Sequence, residues 1–178
     1  MCSNIILTVF IIGIVGGAGL CIAGLATPGW FRLVDNNGNV HWNDLFSCFN
    51  YKASDKNSNY CRGVWDNSSD WVKATIALTV VGIVIAAAAF VWSCVVCFAC
   101  CCKSCFGPPL PILAGLAFAC QLSACIIYGV KVQPINVQTA VKNPVNELGW
   151  SFILVIVGCV VYFIDIILGS LVVIFGAF

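Results

Sequence analysis

The side chains best placed to do chemistry in this sequence are its thirteen cysteines. Six of them, Cys94, Cys97, Cys100, Cys101, Cys102 and Cys105, crowd into one short stretch, where overlapping Cys-x-x-Cys spacings are those of a zinc or iron–sulfur site. That chemistry is disfavoured here, because no His lies nearby and Cys94 and Cys97 fall inside a long apolar run. Thioester chemistry fits better: cysteines at a membrane boundary are sites of reversible S-palmitoylation, so Cys101, Cys102 and Cys105 are candidate acylation sites. Cys48 and Cys61 stand apart in a polar stretch at a spacing suited to a disulfide between adjacent strands, which persists only in an oxidising compartment. Cys21, Cys120, Cys125 and Cys159 read as small apolar helix residues. Acid–base chemistry has little to work with: there is one His, His41, one Glu, Glu147, and one ionisable residue deep in an apolar run, Asp165. No serine elbow, phosphate loop or metal triad occurs, so neither an enzyme nor a cofactor is expected.

The elements that carry these residues follow from composition. The 178 residues are 61% hydrophobic and 8% charged, against roughly 25% charged in soluble domains. Four apolar runs are long enough to cross a hydrocarbon core about 30 Å thick. They predict helices at about 5–26, 73–100, 112–132 and 150–174, with polar loops at about 27–72 and 133–149. The whole chain, 1–178, reads as one membrane domain. The first run is too long for the core of a signal peptide and has no Lys or Arg before it. With a net charge of +1 and no basic patch, nucleic acid is not an expected partner.

Within the first helix, Gly13, Gly17, Cys21 and Gly24 fall on one face, where small residues let backbones approach closely in lipid. Packing within the chain is the expected use. In the first loop, Asn37-Gly38 signals a type I′ hairpin flanked by the β-prone segments 30–34 and 40–42. Segments 45–52 and 60–65 suggest a second strand pair. A small antiparallel sheet formed by the first loop is therefore predicted on top of a four-helix bundle. Pro108, Pro109 and Pro111 are expected to hold the turn before the third helix open. Asp165 and Gln121 are the intramembrane polar residues. Such residues are costly in lipid and face the bundle interior; an interhelical hydrogen bond is expected for each, with Ser93 at comparable depth as a partner for Asp165.

Four spans put both termini and the 101–111 turn on one side and both loops on the other. Seven of the eight Lys and Arg lie on the loop side, which by charge alone would place the loops in the cytosol. Three features outweigh that count. The first loop is long and balanced, with five basic and five acidic residues. Asn67-Ser68-Ser69 is a glycosylation sequon, usable only on the lumenal side, which makes Asn67 a candidate site. The Cys48–Cys61 pair needs an oxidising compartment. The expected arrangement is a multi-pass plasma-membrane protein with cytoplasmic termini and extracellular loops.

The first loop resembles that of the claudin and peripheral-myelin-protein superfamily, in which a Trp precedes a Gly-Leu-Trp-x-x-Cys element and a second Cys. Here Trp30 follows Thr27-Pro28-Gly29, Asp44-Leu45-Phe46-Ser47-Cys48 stands at the place of that element, and Cys61 closes the pair. Asp replaces Gly, Phe replaces Trp and one residue is missing before the Cys, which marks a divergent claudin-like branch. Trp71-Val72-Lys73-Ala74 is similar to the family's amphipathic segment, and Gly149-Trp150-Ser151-Phe152 to the start of its fourth helix. The resemblance implies a four-helix bundle carrying an extracellular sheet. It also implies one of two roles: a protein of cell–cell contacts acting through its loops in adhesion or as a paracellular barrier or pore, or an auxiliary subunit of an ion channel or receptor. The expected partners are membrane lipids and other membrane proteins, either further copies of itself or a channel or receptor subunit. The balanced loop charge gives no sign of ion selectivity. Junctional members commonly end in a PDZ-binding sequence, which Phe175-Gly176-Ala177-Phe178 is not, so scaffold anchoring is not expected.

Overall fold

The computed structural model describes residues 2–27, 29–34, 40–43, 68–98, 107–131 and 149–176. Four long helices dominate: α1 (Cys2–Ala26), α2 (Asp70–Phe98), α3 (Pro109–Lys131) and α4 (Trp150–Gly176). All four are long and apolar enough to span a membrane. A bilayer offers the backbone no hydrogen-bond partner, so each span must close its own N–H···O=C ladder, which the helix does. The helices form a ring in which α1 packs on α2 and α4, and α3 on α2 and α4. Between α1 and α2, β1 (Phe31–Val34) pairs antiparallel with β2 (Val40–Asn43), Phe31 opposite Asn43 and Val34 opposite Val40.

Each helix is largely apolar on every side, and polar side chains are buried on the inner faces: Thr75, Thr79 and Ser93 on α2, Gln121 on α3, and Ser151 and Asp165 on α4. On α2 the buried positions are Thr75, Ile76, Thr79, Gly82, Ala86, Ala89, Ser93 and Val96, spaced three or four apart except for Ile76, while Val84 and Phe98 point outward. Large apolar residues outside and small ones inside are what packing in lipid favours.

The α1–α4 seam shows this most clearly. Each small residue of the α1 face receives a feature of the antiparallel α4: Gly13 meets the carboxyl of Asp165, Gly17 the ring of Tyr162 and Gly24 the side chain of Val155, while Cys21 in turn sits over Gly158. A Cβ at Gly17 would come 2.9 Å from Tyr162 Cε1, and one at Gly24 2.6 Å from Val155 Cγ2.

Three sequence-based expectations change. The third helix begins at Pro109, so Pro109 and Pro111 lie in its first turn instead of in the turn before it. Proline is tolerated there because first-turn N–H groups have no acceptor within the helix. The first and second helices begin at Cys2 and Asp70, three residues earlier than hydropathy placed them. Ser93 does not partner Asp165: its hydroxyl donates to the Ala89 carbonyl on its own helix at 2.6 Å, satisfying it locally. The Asn37-Gly38 turn, the second strand pair, Cys48, Cys61, Asn67, Cys101, Cys102 and Cys105 lie outside the described residues.

Gly16 and Gly17 provide an internal control, because a Cβ at Gly16 meets nothing within 4 Å. Gly17→Leu is expected to destabilise the detergent-solubilised protein by about 1–3 kcal/mol through overpacking, whereas Gly16→Leu leaves thermal stability unchanged. Thermal unfolding followed by size-exclusion chromatography measures both.

Candidate functional site

The described residues of the first loop join the bundle at Trp30. α1 ends at Ala26, and the N–H that would bond the Gly24 carbonyl in a continuing helix belongs to residue 28, which is a proline and has none. Trp30 Nε1 donates to that carbonyl instead, at 2.7 Å. To bring the indole back over α1 the chain turns at Gly29, whose φ of +136° is one that L side chains rarely adopt.

Trp30 itself is 1% exposed. Its ring meets Tyr128 of α3 edge-on at 4.9 Å and Phe152 of α4 at 6.0 Å, and Tyr128 touches Phe152 at 4.6 Å and Trp71 of α2 at 6.1 Å. One cluster thus joins α1, α2, α3 and α4. The Trp30 carbonyl accepts from the Tyr128 hydroxyl and from the Gly149 N–H. Thr27 and Ser151 share a hydroxyl–hydroxyl bond of 3.0 Å across α1 and α4, and Ser151 Oγ also donates to the Thr27 carbonyl. Gly149 lies so close to the Gly29 carbonyl that no side chain fits there. The residue after Trp30 begins β1. The first strand is therefore mounted on the bundle by a buried, hydrogen-bonded tryptophan.

The two intramembrane polar residues lie elsewhere. Gln121 is fully buried, and its Nε2 donates to the Thr79 carbonyl at 3.2 Å, joining α3 to α2. Asp165, 1% exposed, packs on Gly13 without a hydrogen-bond partner among the described residues, a condition shared by Tyr162 Oη and Gln121 Oε1. The residues therefore separate: Trp30 belongs to the loop junction, while Gln121 and Asp165 serve two different helix seams. Among the described residues no three His, Cys, Asp or Glu side chains converge as metal ligands.

The model of the PMP-22/EMP/MP20/Claudin family matches residues 3–172. The chain belongs to this family. No curated protein matches the chain, and no solved structure matches it. Within this PMP-22/claudin chain the first Trp of the loop has a definite physical task, the capping of an open helix end. Sequence reasoning named Trp30 and Trp71 but missed Tyr128, Gly29 and Thr27 as members of the same junction. Pro28 carried a usable signal, since a proline four residues after Gly24 leaves a carbonyl that something else must satisfy. Tyr128 carried none: it is one aromatic residue near the end of an apolar helix.

Trp30→Ala empties the centre of the junction and is expected to cost about 3–5 kcal/mol. Tyr128→Phe removes one donor from a carbonyl that keeps the Gly149 N–H, at about 1 kcal/mol. Thermal unfolding of the detergent-solubilised variants distinguishes the two.

Proposed function

We propose that this PMP-22/claudin protein is a structural, non-enzymatic component of cell–cell contacts, acting through its loops. The observation that carries this reading is the burial of Trp30 immediately before β1: a strand that starts from a residue packed among all four helices can present a defined surface to a partner without first losing much conformational freedom. In this proposal the chain is one claudin-like domain of the plasma membrane, with cytoplasmic termini and both loops outside. The β1–β2 ribbon is part of a larger extracellular sheet stapled by Cys48 and Cys61, next to the family element containing Leu45 and Phe46. Asn67 is glycosylated on the same side, and Cys101, Cys102 and Cys105 carry acyl chains at the inner boundary. Its partners are lipids and further copies of itself, beside it and across the intercellular gap.

Two differently labelled populations of non-adherent cells, each expressing the protein, test this. The protein is expected to concentrate where two expressing cells touch and to remain uniform where an expressing cell meets a non-expressing one. Uniform distribution at every contact, with stoichiometric co-purification of an ion-channel or receptor subunit, contradicts the contact role and makes the protein an auxiliary subunit instead.

A further inference from the structure

Between α3 and α4 the bundle carries a groove of about 400 Å³ that opens sideways onto the lipid face. Its wall is apolar throughout, with Leu122 of α3 and Ile156, Val160 and Phe163 of α4 among its lining residues. These four are 39–53% exposed and belong to the face that meets lipid. Two aromatic pairs bracket it. Tyr128 and Phe152 hold the helices together toward the loop end, and Phe118 and Phe163, at 5.6 Å, close the groove below.

We propose that this groove is a binding site for a single acyl chain of a lipid in the leaflet on the loop side. The depth fits. Phe163 is the middle residue of α4 and lies about 20 Å below Trp150 at 1.5 Å per residue, which is half of a bilayer about 40–45 Å thick including headgroups. An acyl chain of that leaflet ends at the same level, so its terminal methyl rests on the Phe118–Phe163 pair and the methylenes above it line the groove.

Other occupants match less well. Helices pack together in lipid through small residues, whereas this rim is Leu, Ile, Val and Phe. A sterol is a rigid ring system with a hydroxyl to satisfy, and no polar side chain lines the groove. Cys125 and Cys159 lie in the wall and act there as small apolar residues. A flexible hydrocarbon chain needs only shape and apolar contact, which is what the groove supplies.

The full chain is reconstituted in nanodiscs of a phosphatidylcholine whose acyl chain carries a diazirine near its terminal carbon, irradiated, and mapped by mass spectrometry. Adducts are expected to concentrate on the peptides containing Phe118, Leu122, Val160 and Phe163, several-fold above those on Val84 and Val91 of α2, which are more exposed than Leu122, Val160 or Phe163. Val160→Trp and, independently, Leu122→Trp fill the groove from exposed positions and are expected to abolish the excess, while Val84→Trp leaves it intact. Adducts spread evenly over all lipid-facing residues overturn the proposal. So does an excess that survives both groove variants, and so does cross-linking of this face to a second copy of the chain.

Discussion

Where α1 ends, Pro28 deprives the Gly24 carbonyl of its helical donor, and in a low-dielectric surround an unmet carbonyl is expensive. The Trp30 indole N–H resolves this, and much of the loop end follows from that bond. To reach Gly24 the chain reverses at Gly29; with the indole over α1, its ring becomes the centre around which Tyr128, Phe152 and Trp71 collect. The reversal in turn leaves the Trp30 carbonyl facing α3 and the start of α4, where Tyr128 and Gly149 bond it. A single tryptophan thus caps a helix, fills a core and starts a strand.

Below that junction the bundle is held by shape. Apolar contact between helices gains nothing over contact with lipid tails, so the seams depend on close approach and a few internal polar bonds. Gly13, Gly17 and Gly24 give α4 three recesses, and Asp165, Tyr162 and Val155 occupy them. Across the ring, Gly82 makes room for Gln121, whose amide reaches the α2 backbone at Thr79. The same reasoning accounts for the α3–α4 groove, where bulky residues on both sides prevent close approach and leave an apolar channel.

The sequence disclosed what the bilayer dictates. The number of spans, their order and the Gly13–Gly24 face could all be read from hydropathy and spacing, and Asn37-Gly38 marked the place between β1 and β2. Which way α2 faces was harder to read: Thr75, Thr79 and Ser93 lie on its inner face, but in its middle turns only side-chain size separates Ala86 and Ala89 from Val84 and Val91. Pairings across the bundle were hidden too: counted from the loop-side start of its helix, Ser93 lies eight residues deeper than Asp165, about 12 Å at 1.5 Å per residue, and it bonds its own helix while Asp165 faces Gly13. The helix starts at Cys2, Asp70 and Pro109 were masked by polar or proline residues, which the first turn of a helix tolerates. Trp30 was legible as a motif residue; its partner Tyr128, almost a hundred positions away, was not.

Amide hydrogen exchange across Phe31–Val34 and Val40–Asn43, in lipid nanodiscs, tests the central claim most directly when wild type is compared with Trp30→Phe. Phenylalanine keeps a six-membered ring in the aromatic cluster and removes the N–H that reaches Gly24 together with the pyrrole part of the indole. If that bond mounts the ribbon on the bundle, both strands exchange markedly faster in the variant while the middle turns of α1 to α4 remain protected. Unchanged protection of both strands would contradict the account and make the Trp30–Gly24 bond incidental to the first loop.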